Sequence, residues 1–319
     1  MPSFDGTIAD GMDTRAQEAP AGLTAADLER FRSVQQLAYE CAETVGATLS
    51  PGVTEREAAT AMRAWLTERG VDDWFHLPFA WFGNRTAFQG FRFPIQFFPT
   101  NRRLEEGMPF ILDVAPIVDG YTADIGYAAA LGENRIQAKL LDDLAGHRQL
   151  VLEGVRARKS LRQVYDDVDG LLARQGYDNR HRAYPGGVIA HRVGSPRKPS
   201  LARSRLDVPG GSSRIGLRGS GFIRGRFRQK TALGFGVRSL RVLARESVAG
   251  RRQGWSPLWG PTARSDHPPT PGLWAVEPHI GFRGVGAKFE ELLVVTDHDA
   301  YWLDDDLPHV RRWRAQAAA

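Results

Sequence analysis

Two aspartates set in an apolar hairpin pattern constrain the fold of this chain more than any other feature. Residues 110–128 read as two apolar strands, and Asp119-Gly120 between them is a strong signal for a two-residue turn. With that turn, Asp113 and Asp124 lie on one face of the hairpin as diagonal neighbours. Two carboxylates in such surroundings are costly unless a cation neutralises them, and a divalent cation is the natural partner.

A second hairpin pattern near the end of the chain repeats this arrangement. Strands are predicted over residues 273–280 and 288–296, and each has a glutamate in apolar surroundings, Glu277 in the first and Glu290 in the second. The neighbouring Glu291 competes with Glu290, but the alternation of a strand places it on the opposite face, where solvent is expected. The two hairpins together offer four acids.

A histidine completes this set. His191 lies in the small-residue segment GGVIAHRVG, where an imidazole can approach a metal ion closely. A single histidine is usually only a hydrogen-bonded polar residue. Four matching acids around it favour a metal site instead.

The helical segments indicate an internal repeat. Two of them recur at an offset of 106 residues, with Thr54 and Ser160 as N-caps and Gly70 and Gly176 as stops. Each is followed by an aspartate and a predicted strand. This pattern favours two pseudo-symmetric α+β halves.

Length and composition place the chain among ordinary globular proteins. It has 319 residues, a net charge of +5 and one cysteine, Cys41, which excludes an internal disulfide and favours a reducing compartment. No apolar run approaches the roughly 20 residues needed to span a bilayer. Residues 1–22 lack the features of a signal peptide and are predicted to be a disordered leader before a domain over 23–319. The expected location is the cytoplasm.

The positive charge is concentrated in one stretch. Residues 195–272 contain 16 lysines and arginines and three acids, so the rest of the chain is acidic. A basic insert of this kind can bind nucleic acid or another anionic surface. It is more often a solvated loop, and its Arg-Gly-rich centre lacks the interleaved aromatics of a base-stacking surface.

The ordered set Asp-x10-Asp, His, Glu-Pro and Glu resembles the pita-bread metallopeptidases, which include methionine aminopeptidase, Xaa-Pro aminopeptidase, prolidase and creatinase. The resemblance runs from about residue 23 to 303 and includes PGVTEREAA, LDVAPIVDGYTADIGYA and WAVEPHIGF. It implies an α+β pita-bread fold of two pseudo-symmetric halves around a dinuclear metal site. The metal ligands that it implies are Asp113, Asp124, His191, Glu277 and Glu290.

Spacing within this resemblance favours a peptidase of the Xaa-Pro type. The step of 13 residues from Glu277 to Glu290 looks like that of Xaa-Pro peptidases, while only 112 residues precede Asp113, which suits the minimal aminopeptidase architecture. The chain departs from the family at two substrate-side histidines. Lys198 stands at one of these positions, and no histidine lies between Gly83 and Asp113.

Four residues are candidates to replace those histidines, namely His76, His181, His279 and Arg192. The resemblance implies two divalent ions (Mn²⁺, Co²⁺, Fe²⁺ or Zn²⁺) and a bridging hydroxide that attacks the scissile amide. Glu277 is the candidate for carrying the proton to the leaving nitrogen. The expected substrate is a short peptide, cleaved at its N-terminal residue, or a small amide.

Two alternatives stay open. A C–N hydrolase of a small molecule, as creatinase is, is suggested by the missing histidines and the aromatic-rich segment 74–98. A catalytically weakened protein that binds a partner through the basic insert is the other alternative, but retention of all five ligands argues against it, because unused buried carboxylates destabilise a fold. Nucleic acid is therefore the less favoured partner, a membrane is not expected, and a homodimer is compatible with the sequence.

Overall fold

The computed structural model describes residues 18–194 and 255–318. Within these ranges the helices are α1 (Ala25–Thr48), α2 (Glu55–Glu68), α3 (Arg135–Arg156), α4 (Leu161–Gln175) and α5 (Pro308–Ala317). The strands are β1 (Asp73–Phe82), β2 (Pro109–Val118), β3 (Tyr121–Thr122), β4 (Ile125–Ala130), β5 (Asp178–Asn179), β6 (Ala190–Val193), β7 (Leu258–Trp259), β8 (Gly272–Val276), β9 (His279–Phe282), β10 (Val285–Lys288), β11 (Glu291–Val295) and β12 (Ala300–Trp302).

The two helices predicted to be repeats begin at equivalent caps. The Thr54 hydroxyl accepts a hydrogen bond from the Glu57 backbone N–H, and the Glu57 carboxylate accepts one from the Thr54 backbone. Ser160 and Gln163 form the same capping box at the start of α4. The offset of 106 residues is therefore retained at the helix starts, and each helix is followed by a strand, as the repeat predicts.

The first hairpin has the predicted register. Asp119 and Gly120 take φ angles of 51° and 93°, the positive values that a two-residue turn of this kind requires. β2 pairs with β3 next to the turn and with β4 farther along, and Asp113 lies opposite Gly126. Asp124 lies where the pairing is interrupted between β3 and β4. Its side chain is thus placed at the break, beside β2.

The second hairpin is split into two ladders. β9 and β10 pair around the turn at Arg283 and Gly284, whose φ angles are 48° and 84°. β8 and β11 continue with the same register in another sheet. The prediction of two unbroken strands is therefore wrong at residues 277–278 and 289–290, where the ladder is interrupted. Continuing the register across that interruption places Glu277 opposite Glu290.

Three sheets support these hairpins. One has β2 at its centre, paired with β1, β3 and β4; the second has the order β10-β9-β5, and the third the order β12-β11-β8-β6-β7. One apolar core lies around α1 and α2, and the other lies around α3 and α4. No helix in the described ranges combines the length and the apolar character needed to cross a lipid bilayer.

The ends of the predicted leader and of the predicted insert belong to the packed structure. Ala19 packs against the first core. Trp259, within the predicted insert, is 1% exposed and pairs with Ala190 of β6. Residues 255–272 therefore form part of the packed fold, and the insert over residues 195–272 stays a prediction. Residues 1–17 and 195–254, including Lys198 and most of the basic stretch, lie outside the described residues.

Gly286 provides a test of how tightly β10 packs. A Cβ atom at this position would lie 2.1 Å from the carbonyl oxygen of Thr86 and 2.7 Å from the Cα atom of Ala87, and backbone atoms cannot move aside cheaply. Gly286→Ala is expected to lower the free energy of unfolding by about 1–3 kcal/mol or more, measured by urea denaturation.

The matched control for this substitution is Gly146→Ala in α3. A Cβ atom there meets only Leu171 Cδ2, at an ordinary 3.9 Å. Since alanine is favoured over glycine in a helix by up to about 1 kcal/mol, this variant is expected to keep or raise the stability. Equal unfolding midpoints for the two variants would contradict the close packing of β10.

Candidate metal centre

The four predicted carboxylates lie together in the interior. Asp113 lies on β2, Asp124 follows β3, Glu277 follows β8, and Glu290 precedes β11. All four are buried, with exposed fractions between 1% and 7%. An isolated bridge between Gly126 and Glu290 joins the two hairpins at this point. The structure thus brings both acid pairs to one cluster.

A lysine that the sequence analysis did not single out lies inside this cluster. The Lys288 ammonium donates to Asp113 Oδ2 at 2.7 Å, Glu290 Oε2 at 2.8 Å and Glu277 Oε2 at 2.9 Å. It also donates to the Tyr184 hydroxyl at 3.1 Å. The Lys288 side chain is fully buried. A cation of the protein itself therefore binds three of the four carboxylates.

The path of the Lys288 side chain depends on a glycine of the first hairpin. A Cβ atom on Gly126 would lie 2.1 Å from Lys288 Cε and 3.0 Å from Cδ. The methylene chain therefore occupies the space that a side chain at position 126 would fill. Lys288 also lies two residues before Glu290, so alternation along the strand indicates that both point to one face. That spacing is the sequence signal from which Lys288 could have been found.

His76 lies at the opposite side of the aspartate pair. Its Nε2 atom is 2.9 Å from Asp124 Oδ1 and 3.1 Å from Asp113 Oδ1, and its Nδ1 atom is 2.8 Å from the Leu77 carbonyl oxygen. Because all these partners are acceptors, both ring nitrogens donate and the ring is an imidazolium. Burial alone lowers the pKa of a histidine, but the two aspartates outweigh it and hold the pKa of His76 well above its ordinary value.

His191 approaches the cluster from β6. β6 pairs with β8, and the Glu277 backbone N–H donates to the Ile189 carbonyl, which places His191 beside Glu277 and Glu290. His191 Nε2 is 3.2 Å from Asp124 Oδ2 and 4.0 Å from Glu290 Oε1. Burial opposes ionisation of the ring, but Asp124 raises the pKa of His191 above its usual value.

Tyr184 and His279 form a hydrogen-bonded pair at the edge of the cluster. His279 Nε2 donates to the Thr86 carbonyl at 2.7 Å, so Nδ1 accepts from the Tyr184 hydroxyl at 3.4 Å. Burial and the nearby Lys288 hold the pKa of His279 well below its ordinary value. The ring is therefore neutral, and both of its nitrogens are used within the protein. Tyr184 is the second residue that the sequence analysis missed.

Charge is distributed unevenly over the acids. Burial would raise the pKa of Asp124, but His76 and His191 lower it far below the usual range, so this carboxylate is ionised. Burial, Asp124 and Glu277 raise the pKa of Glu290 well above its ordinary value. Burial also raises the pKa of Glu277. The Lys288 ammonium therefore does not fully neutralise the two glutamates, and their pKa values stay raised.

Two groups of side chains are spaced for a metal ion. His76, Asp113 and Asp124 form one group, and Asp124, His191 and Glu290 form the other; in each, the ligand atoms lie within 4.8 Å of one another. One nitrogen and two carboxylate oxygens suit a divalent transition metal. In the first group the Nε2 atom of His76 already donates to both aspartates. In the second group His191 Nε2 makes one such contact, a longer one of 3.2 Å to Asp124 Oδ2, so this group fits a metal ion better.

Arg192 lies away from the carboxylates. Successive side chains of a strand point to opposite faces, so Arg192 is directed away from the side of β6 that carries His191. Its guanidinium donates to Thr270 Oγ1 at 2.8 Å and to the Pro271 carbonyl at 2.6 Å. It also lies over the Trp255 ring. These contacts do not support the predicted catalytic role of Arg192, which stays a prediction.

Glu291 points away from the cluster, as the alternation predicts, but not toward solvent. Its side chain is fully buried, and Arg148 donates to both carboxylate oxygens at 2.7 and 3.0 Å. His309 Nε2 lies 3.0 Å from the same carboxylate. The expectation of a solvent-facing Glu291 is therefore wrong, because α3 and α5 cover that face of β11.

Aromatic rings from the segment 74–98 border the cluster. Phe75 stacks on His191 with ring centroids 5.1 Å apart, and Phe79 stacks on His76 at 5.0 Å. Phe88 contacts Tyr184 edge to face. These rings are buried and form an apolar border to the cluster, and electrostatic interactions are stronger in such low-dielectric surroundings.

Comparison with known proteins identifies relatives of this fold. Residues 29–297 match the family model described as Metallopeptidase family M24. A search of curated proteins found no matching sequence. The fold is similar to an X-Pro aminopeptidase from Thermotoga maritima MSB8, with a TM-score of 0.58 and 14% identity over 88% of this chain and 61% of that one.

Two further solved structures extend the comparison. A prolidase from Pyrococcus furiosus is similar with a TM-score of 0.58 and 13% identity over 88% of this chain and 64% of that one. A methionine aminopeptidase from Rickettsia prowazekii is similar with a TM-score of 0.51 and 15% identity over 88% of this chain and 98% of that one. The chain thus spans about three fifths of the Xaa-Pro-type relatives. The predicted pita-bread fold and the predicted membership of a metallopeptidase family are confirmed.

Proposed function

Because the chain belongs to metallopeptidase family M24, we propose that it removes N-terminal residues from short peptides and that Xaa-Pro peptides are its substrate class. The observation that carries this proposal is the convergence of Asp113, Asp124, Glu277 and Glu290 with His191 in one buried cluster. The X-Pro aminopeptidase and the prolidase among the structural neighbours support the substrate class.

The donor atoms of the cluster fit a divalent cation. Asp124, His191 and Glu290 would hold it, since each offers a ligand atom within 4.8 Å of the others. When bound, such an ion polarises an amide carbonyl as a Lewis acid and lowers the pKa of water. The resemblance predicts two ions of Mn²⁺, Co²⁺, Fe²⁺ or Zn²⁺. Their identity and number stay predictions, and Lys288 occupies part of the ligand set.

Glu277 is the residue suited to hold and deliver a proton. Burial raises the pKa of its carboxyl group, so it can carry a proton closer to neutral pH than an exposed glutamate. Lys288 donates to its Oε2 atom at 2.9 Å and fixes its orientation. In our proposal Glu277 passes the proton to the leaving nitrogen of the scissile amide.

His279 acts as a positioning residue in this proposal rather than as a donor to the substrate. With Nε2 donating to Thr86 and Nδ1 accepting from Tyr184, the ring retains no N–H for a developing oxyanion. By accepting this hydrogen bond, His279 orients the Tyr184 hydroxyl, and the hydroxyl oxygen in turn accepts a hydrogen bond from Lys288. His76 has its ring nitrogens engaged in the same way, with Asp113 and Asp124 at Nε2 and the Leu77 carbonyl at Nδ1, and in our proposal it contributes positive charge beside the two aspartates.

An assay of the full chain tests the proposal. The protein, stripped of metal and reloaded with Mn²⁺ or Co²⁺, is expected to hydrolyse Xaa-Pro dipeptides and to lose this activity on addition of EDTA. Met-Xaa peptides and N-acetylated Xaa-Pro peptides serve as matched controls for side-chain preference and for the free amine. Metal-loaded protein that leaves every peptide intact would contradict the proposal, and hydrolysis of creatine alone would support the small-molecule alternative.

A further inference from the structure

The position of Lys288 conflicts with a full set of two metal ions. Its ammonium is within 2.9 Å of one oxygen each from Asp113, Glu277 and Glu290. A divalent cation bound to those oxygens would lie about 2.0–2.2 Å from them, and hence in the volume that the ammonium fills. Two cations cannot share one set of oxygens in a buried site without strong repulsion.

Packing and polar contacts both fix the position of the Lys288 side chain. Its side chain is fully buried, its methylenes fill the space over Gly126, and its ammonium is within 3.1 Å of the Tyr184 hydroxyl. The Tyr184 ring lies 5.2 Å from the ammonium and adds a cation–π contact. The ammonium has four oxygen partners, so its hydrogen-bonding capacity is satisfied in this buried position.

The remaining ligand atoms form a separate set. Asp124 Oδ2 and His191 Nε2 are 3.2 Å apart, and Glu290 Oε1 is 4.0 Å from the same nitrogen. Lys288 uses the other oxygen of Glu290, and His76 uses the other oxygen of Asp124. In these hydrogen bonds Lys288 and His76 use Glu290 Oε2 and Asp124 Oδ1, and not the two oxygens nearest to His191 Nε2.

From these contacts we propose that Lys288 takes the place of one of the two cations and that the site binds a single divalent ion through Asp124, His191 and Glu290. The inference builds on the proposed metal dependence but concerns stoichiometry, which is measured without any substrate. Failure of the peptidase assay and failure of this inference are therefore distinguishable.

Metal content after reconstitution tests the inference. The full chain is stripped with a chelator, loaded with Mn²⁺, desalted and analysed by plasma mass spectrometry, alongside an isothermal titration. About one Mn²⁺ per chain is expected for the unmodified protein and for Lys288→Arg, which keeps the charge. About two are expected for Lys288→Met. Lys139→Met, which removes an exposed lysine, is the matched control and is expected to leave the value at one.

Two results would overturn the inference. One is binding of two ions by the unmodified protein, and the other is a single ion in a folded Lys288→Met variant, as judged by circular dichroism. If Lys288→Met does not fold, the metal content of His191→Ala tests the proposed ligand set independently. Loss of all bound Mn²⁺ supports the proposed ligand set, whereas retention of one ion shows that the metal binds elsewhere in the cluster.

Discussion

Replacing Lys288 with methionine is expected to lower the free energy of unfolding of the metal-free protein by about 3–5 kcal/mol, the usual effect of removing one partner from a buried ion pair. Methionine has a similar length and fills the space above Gly126. It leaves Asp113, Glu277 and Glu290 without the ammonium that binds all three. Like charges in a buried cluster then repel one another, and their desolvation is no longer offset.

Urea denaturation in the presence of EDTA measures this effect. Lys139→Met is the control, because Lys139 is 70% exposed in its pair with Asp143, and such surface pairs contribute at most about 1 kcal/mol. Added Mn²⁺ is expected to narrow the difference between Lys288→Met and the unmodified chain, since ions that bind only the folded state stabilise it. An unchanged unfolding midpoint for metal-free Lys288→Met would show that Lys288 does not neutralise the cluster.

Replacing Glu277 with glutamine is expected to lower kcat for an Xaa-Pro dipeptide by about 10²–10⁴-fold, the range for loss of a general acid–base group. Glutamine has the same shape, and its carbonyl oxygen can still accept the hydrogen bond from Lys288. The stability of the fold is therefore expected to change little. What is lost is the ionisable proton, which an amide cannot hold or deliver.

Steady-state kinetics and metal content distinguish this role from that of a ligand. If Glu277 only transfers a proton, Glu277→Gln retains its bound Mn²⁺ while kcat falls. A variant that loses its metal together with its activity would instead make Glu277 a ligand. Glu133→Gln, at a side chain that is 78% exposed, is the matched control and is expected to leave both quantities unchanged.

Local patterns predicted the hairpins well because turn chemistry acts over a few residues. Asp119-Gly120 adopts the predicted turn, and the register that it imposes extends to Pro109 and Ala130. The caps at Thr54 and Ser160 likewise mark the observed helix starts. The break in the second hairpin was not predictable in the same way, because it depends on the bridge that Glu290 forms with another sheet.

The acids of the cluster were predictable because charged residues are conspicuous in apolar strands. The spacing of two residues to Glu290 places Lys288 on the same face of the strand, but its insertion among the carboxylates depends on the absence of a side chain at Gly126, 162 residues earlier in the chain. Tyr184 was missed because it reaches the ammonium from a loop with no regular pattern. Contacts between distant segments are set by tertiary packing, which periodicity does not encode.

Anomalous diffraction from a crystal of the Mn²⁺-loaded protein tests the central claim most directly. One anomalous peak is expected, bound by Asp124, His191 and Glu290, with the Lys288 ammonium still in contact with Asp113 and Glu277. A cluster without any peak, or two peaks with Lys288 displaced from the carboxylates, would contradict it.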